Sequence, residues 1–136
     1  MHTERDTIIE DFILYCKDRL DIQQLPSIQF TNDRDWALER RSFGQYEPGT
    51  KTLEVYTGNR NTADILRTLV HELVHHRQNE LGKIKLDSGY TGSIIENEAN
   101  SIAGIIMRDY GKMNDLIYES KKPIKLTSLL KEVLKK

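Results

Sequence analysis

The sequence predicts an α+β fold: a short antiparallel or mixed sheet packed against two long helices, with further helices at the N- and C-terminal ends. Three observations predict it. Apolar residues recur at helical spacing in two long stretches, Leu66, Leu69, Val70 and Leu73, then Ile95, Ala99, Ile102, Ala103 and Ile106. Ahead of them, short alternating runs flank the turn signal Glu47-Pro48-Gly49-Thr50. The chain has 136 residues, which fits one domain, residues 1–136, with a single core.

The elements follow in order. Ile8, Ile9, Phe12, Ile13, Cys16 and Leu20 fall on one face of an amphipathic helix from about Thr3 to Leu20. Cys16, the single cysteine, shares that face and reads as a buried core thiol. After Pro26, Ser27–Thr31 alternates as a strand; Asn32-Asp33-Arg34-Asp35 reads as a solvated turn, and Trp36 and Leu38 open a second strand running to Tyr46. Thr52–Thr57 completes a hairpin with Leu53 and Val55 on one face, and its edge is a candidate site for an added peptide strand. Gly58-Asn59-Arg60 then leads into a helix from Asn61 to Glu80, capped by Asn61 or Thr62, with Asp64 in the first turn, where negative charge suits the helix dipole.

Lys83–Ser93 is rich in turn residues and reads as a loop. Ile94–Tyr110 is the second long helix, with Ser93 placed to cap it and Gly111 to close it. After Pro123, Leu126, Leu129, Leu130, Val133 and Leu134 line one face of a lysine-rich segment, expected to dock on the domain as a terminal helix.

Composition narrows the function classes. Hydrophobic content of 38% with 30% charged residues fits a soluble globular protein. Twenty basic against 21 acidic residues give a net charge of -1, with no global attraction for nucleic acid. No apolar run has spanning length, and the charged start (His2, Glu4, Arg5, Asp6) is unlike a signal peptide, so the expected location is cytoplasmic.

The chemistry concentrates at His71-Glu72-Leu73-Val74-His75. Two histidines four apart on a helix project from one face, about a turn apart, so both imidazoles can reach one metal ion. Glu72 sits where it can reach a metal-activated water without being a ligand. A catalytic zinc usually takes three protein ligands. His76 points about 100° from His75 and reads as a core histidine. No histidine follows it, so a third ligand must be a carboxylate. Glu96 and Glu98 are the candidates on a helix, with Asp87 a weaker one in the loop. Glu96 keeps better company: Asn100, four residues on, can hydrogen-bond a liganding histidine, and Ala103 allows close helix approach. Tyr90, six residues before Glu96, is the candidate donor to an oxyanion.

The first motif, followed after 20 residues by Glu96-Asn97-Glu98-Ala99-Asn100-Ser101-Ile102-Ala103, resembles the gluzincin metallopeptidases, whose second motif reads roughly Glu-x-x-Ala-Asp/Asn-x-Phe-Ala. The compact versions it resembles most are the minigluzincins and the ImmA/IrrE-like proteins. The resemblance covers the two motif helices and the strand-strand-helix order before them. It implies a zincin-like domain holding one Zn2+ per chain through His71, His75 and Glu96, with Glu72 as general base and Asn100 supporting a histidine. It implies a zinc-dependent endopeptidase acting on a peptide or protein substrate, of phage or bacterial origin. Ile102 replaces a frequent phenylalanine, and Asn100 an aspartate found in many members. The alternative is a non-catalytic zinc-binding interaction module.

Overall fold

The computed structural model describes residues 3–84 and 89–114 of the chain, with the side chains of residues 89–92 outside that description. Local chemistry fixes where the first helix, α1 (Glu4–Arg19), begins. Thr3 accepts the Asp6 amide at 3.1 Å while the Asp6 carboxylate accepts the Thr3 amide at 3.2 Å, a reciprocal capping box. β1 (Ser27–Thr31) follows, as the alternation predicts.

The next stretch departs from expectation. Asn32–Asp35 is not a turn, and Trp36 does not open a strand. Residues Arg34–Arg40 form helix α2, and strand β2 is confined to Gly44–Glu47. The Asp33 carboxylate caps the Asp35 amide at 3.0 Å, so this acidic run starts a helix. Trp36 and Ala37 are buried while Leu38 is 61% exposed, which removes the alternation that suggested a strand. Arg40, one turn on from Trp36, lies over its indole at 4.6 Å, a pairing only helical spacing allows. Arg41 then closes the helix in the left-handed region, at φ 51°.

β3 (Thr52–Tyr56) pairs antiparallel with β2 (Gly44 opposite Val55, Glu47 opposite Thr52) and parallel with β1 (Ser27 opposite Thr52, Thr31 opposite Tyr56). The sheet is therefore mixed, in the order β1-β3-β2. Because β3 is central and hydrogen-bonded on both sides, Thr52–Thr57 offers no edge for a peptide strand; β2, on the side of the histidine helix, does. Leu53 and Val55 are fully buried, as their shared face predicts.

α3 (Thr62–Glu80) is the central helix. The Asn61 side chain accepts the Asp64 amide at 2.8 Å and sets its start. Ile65, Leu66, Leu69, Val70 and Leu73 are completely buried between the sheet, α1 and α4. α4 (Gly89–Met113) is longer than predicted at both ends: Ser93 lies inside it and Gly111 does not close it. Its Ala99, Ala103, Ile106 and Met107 complete the core with Phe12 and Cys16 of α1. Burial pushes the Cys16 thiol far up, so it is the inert core cysteine the sequence suggested. Tyr110 meets the Phe12 ring edge-on at 4.8 Å and donates to Asp11 at 2.7 Å, closing α4 onto α1.

His76 is a core histidine, as expected. Its Nε2–H donates to the Gln24 carbonyl at 2.6 Å, and its Nδ1 lies 2.7 Å from the Tyr46 hydroxyl. Asn79 donates to the same hydroxyl at 3.0 Å. Together these bonds tie the second half of α3 to β2 and to the α1–β1 connection. Among the described residues no helix is long and apolar enough to cross a membrane. The lysine-rich segment after Pro123 lies outside the described residues.

Candidate metal centre

α3 packs against α4 as well as the sheet and α1, and His71 and His75 lie on the side that meets α4. There α4 supplies Glu96. Its Oε2 lies 3.1 Å from His71 Nε2 and its Oε1 2.9 Å from His75 Nε2, while the two Nε2 atoms are 3.2 Å apart. His71, His75 and Glu96 therefore lie close enough to hold a metal ion, with their ligand atoms all within 4.8 Å of one another. The spacing is informative. Two atoms each about 2.05 Å from a tetrahedral ion stand about 3.3 Å apart, close to the separations here. Two imidazole nitrogens and a carboxylate are a donor set that zinc and similar cations accept.

The surroundings differ among the three residues. His75 is buried, His71 half-buried, and the Glu96 side chain 55% exposed, so the centre opens toward solvent on the Glu96 side. Burial lowers the His71 pKa, helped by the charge of His75; Glu96 and a hydrogen bond with Asn100 oppose the shift. A His71 kept neutral has its lone pair available to a metal.

Glu72 is 7% exposed, and burial, reinforced by the Glu96 charge, pushes its carboxyl up to about 8. What buries it is β2. A Cβ built on Gly44 would stand 3.0 Å from Glu72 Oε2 and 2.5 Å from Thr68 Cγ2, so only glycine lets this strand lie so close to α3. Beside that contact opens a cavity of about 260 Å³ between Phe43 and Gly44 on one side and Arg67, Thr68, His71 and Glu72 on the other. Arg60 braces its wall: the guanidinium lies 4.4 Å over the Phe43 ring and donates to Thr68 Oγ1 at 2.8 Å.

The other expected residues fare differently. Glu98 faces away from the centre and accepts from Gln78 Nε2 at 2.9 Å, with Lys83 at 3.5 Å. Tyr90 falls in the first turn of α4 instead of a loop, and its side chain lies outside the described part, as does Asp87 altogether. Sequence reasoning missed Gln78, which is 2% exposed and lies 2.8 Å from His75 Nδ1. Its position three residues after His75 on a helix was the available signal. It also missed Gly44, whose role depends on a contact between β2 and α3 that no local pattern encodes. Compared with known proteins, the chain matches no family profile, no curated protein and no solved structure.

Proposed function

We propose that this protein is a small zinc-dependent endopeptidase of gluzincin type. The observation that carries the reading is the convergence of His71, His75 and Glu96 beside a buried glutamate at the wall of an open cleft. When bound, zinc supplies Lewis acidity, making water acidic near neutral pH and polarising a carbonyl. The remaining steps belong to the chain. Glu72, with its proton affinity raised by burial, accepts a proton from water and returns it to the leaving amine. Gly44 keeps β2 against that carboxylate, and the edge of β2 is where an extended peptide lies, its backbone hydrogen-bonded along the strand and its scissile bond over the cleft. Asn100 holds the His71 ring.

Elemental analysis at saturating zinc is the first test. About one zinc per chain is expected in wild type and in Glu98→Gln, and its loss is expected in Glu96→Gln. Glu72→Gln should keep the metal and lose peptide hydrolysis. Hydrolysis surviving in that variant would exclude Glu72 as the base. Zinc bound by wild type with no hydrolysis across a diverse peptide library would instead favour a metal-binding interaction module.

A further inference from the structure

A histidine that binds a metal through Nε2 must carry its proton on Nδ1, and its ring must be held so that the lone pair points at the ion. For His75 the geometry determines the proton's position through a chain of partners on α3 and α4. Gln78 Nε2 lies 3.1 Å from the Ile95 carbonyl oxygen and 2.9 Å from Glu98 Oε1. A carbonyl and a carboxylate can only accept, so the amide nitrogen of Gln78 must face them. The amide oxygen is then the atom facing His75 Nδ1 at 2.8 Å. An amide oxygen also only accepts, which puts a proton on Nδ1 and makes Nε2, 2.9 Å from Glu96 Oε1 and 3.2 Å from His71 Nε2, the atom a metal would take.

We propose that Gln78, oriented by Glu98 and the Ile95 carbonyl, is a positioning residue that fixes His75 in its Nδ1–H form and thereby sets the affinity of the centre for metal. The proposal rests on the metal-centre reading above. It also gives Glu98 a role distinct from that of a rival ligand. Glu96 and Glu98, two residues apart on α4, both reach α3, one to the ligand cluster directly and the other through Gln78. The relay continues outward from Glu98 to Lys83. Because Gln78 is buried and bonds to α4 at two points, it also fixes the register of the helices that carry the ligands.

A buried glutamine that only packs two helices would affect stability without choosing a tautomer, so the test needs a readout of the ring itself. Zinc affinity is measured by competition with a chromophoric chelator for wild type and Gln78→Leu, with folding of each metal-free chain checked by circular dichroism. Long-range 1H–15N spectra of the imidazoles report which nitrogen of His75 is protonated. The expected result is a folded Gln78→Leu chain that binds zinc about 10–100-fold more weakly. Wild type should show a slowly exchanging proton on His75 Nδ1, and the variant should lose it. Equal zinc affinity in a folded Gln78→Leu chain overturns the proposal and leaves the metal centre intact. A His75 proton resident on Nε2 in zinc-loaded wild type overturns it as well, and this measurement decides even if the variant does not fold. A wild-type chain that takes up no zinc defeats the metal reading itself, and the proposal falls with it.

Discussion

Glu72 is buried and yet borders an open cleft, a combination that depends on the missing side chain at Gly44. In Gly44→Ala the new methyl meets Thr68 Cγ2 at 2.5 Å and Glu72 Oε2 at 3.0 Å, so β2 or the carboxylate must move. The expected cost is about 1–3 kcal/mol of stability, measured by urea unfolding. Adding Thr68→Ser removes the closest clash and keeps the hydroxyl that Arg60 bonds, so the double variant should regain part of the loss. For Glu72→Gln, kcat on a cleaved peptide should fall by about 10²–10⁴-fold with KM little changed. At this scale the convergence of His71, His75 and Glu96 was legible because two histidines a turn apart on a helix share one face and Glu96 lies on the next long helix. Gln78 was not, because its role depends on the Ile95 carbonyl and Glu98 lying across from it on another helix.

Among the elements, the C-terminal end of α3 is joined to the α1–β1 connection through Glu80 as well as His76. Glu80 accepts the Gln23 amide at 3.1 Å and the Gln24 amide at 3.0 Å, and pairs with Arg77 at 3.3 Å. Burial would raise its pKa, but the backbone amides and Arg77 outweigh that and hold it below the ordinary glutamate value. An acid with a depressed folded pKa contributes stability above its unfolded value, near about 4.3, and loses that contribution as pH falls through the folded value. Thermal melts should therefore drop as pH falls below about 4.3. Glu80→Gln should lower stability at neutral pH by roughly 1–3 kcal/mol and flatten that part of the acid dependence. The helices themselves were unevenly legible. α3 declares its cap, its dipole charge and its stripe within one stretch of sequence. α2 was misread because Trp36 and Leu38 mimic alternation, while the decisive signal was the cap at Asp33. The start of α4 was misread because Gly89 and Gly92 read as turn residues; at up to about 1 kcal/mol each, they do not prevent a helix.

Across the whole molecule, His71, His75 and Glu96 join α3 to α4, two elements that a bound metal would clamp together. Any ion bound only by the folded state raises stability, by about 2.7 kcal/mol at a hundred times its dissociation constant. Zinc should therefore raise the melting temperature of wild type by several degrees, measured by differential scanning fluorimetry. A chelator should reverse the shift, and Glu96→Gln should abolish it. The α+β class was legible from the two stripes and the hairpin. The order β1-β3-β2 was not, because alternation shows which face of a strand is buried but says nothing about which neighbours it pairs with.

Cys16 turns that architecture into a clock. Its sulfur is sealed beneath α1 against a core that α3 and α4 share, so an alkylating reagent reaches it only in molecules that have opened. When reclosing outpaces the reagent, the labelling rate measures the population of open molecules. Tyr110 fastens α1 to α4, so α1 is expected to leave only when the helix pair behind it comes apart. Zinc should then slow labelling by the same factor by which it stabilises the fold. A rate indifferent to zinc would mean that α1 swings away by itself, exposing the core while the histidines keep their hold.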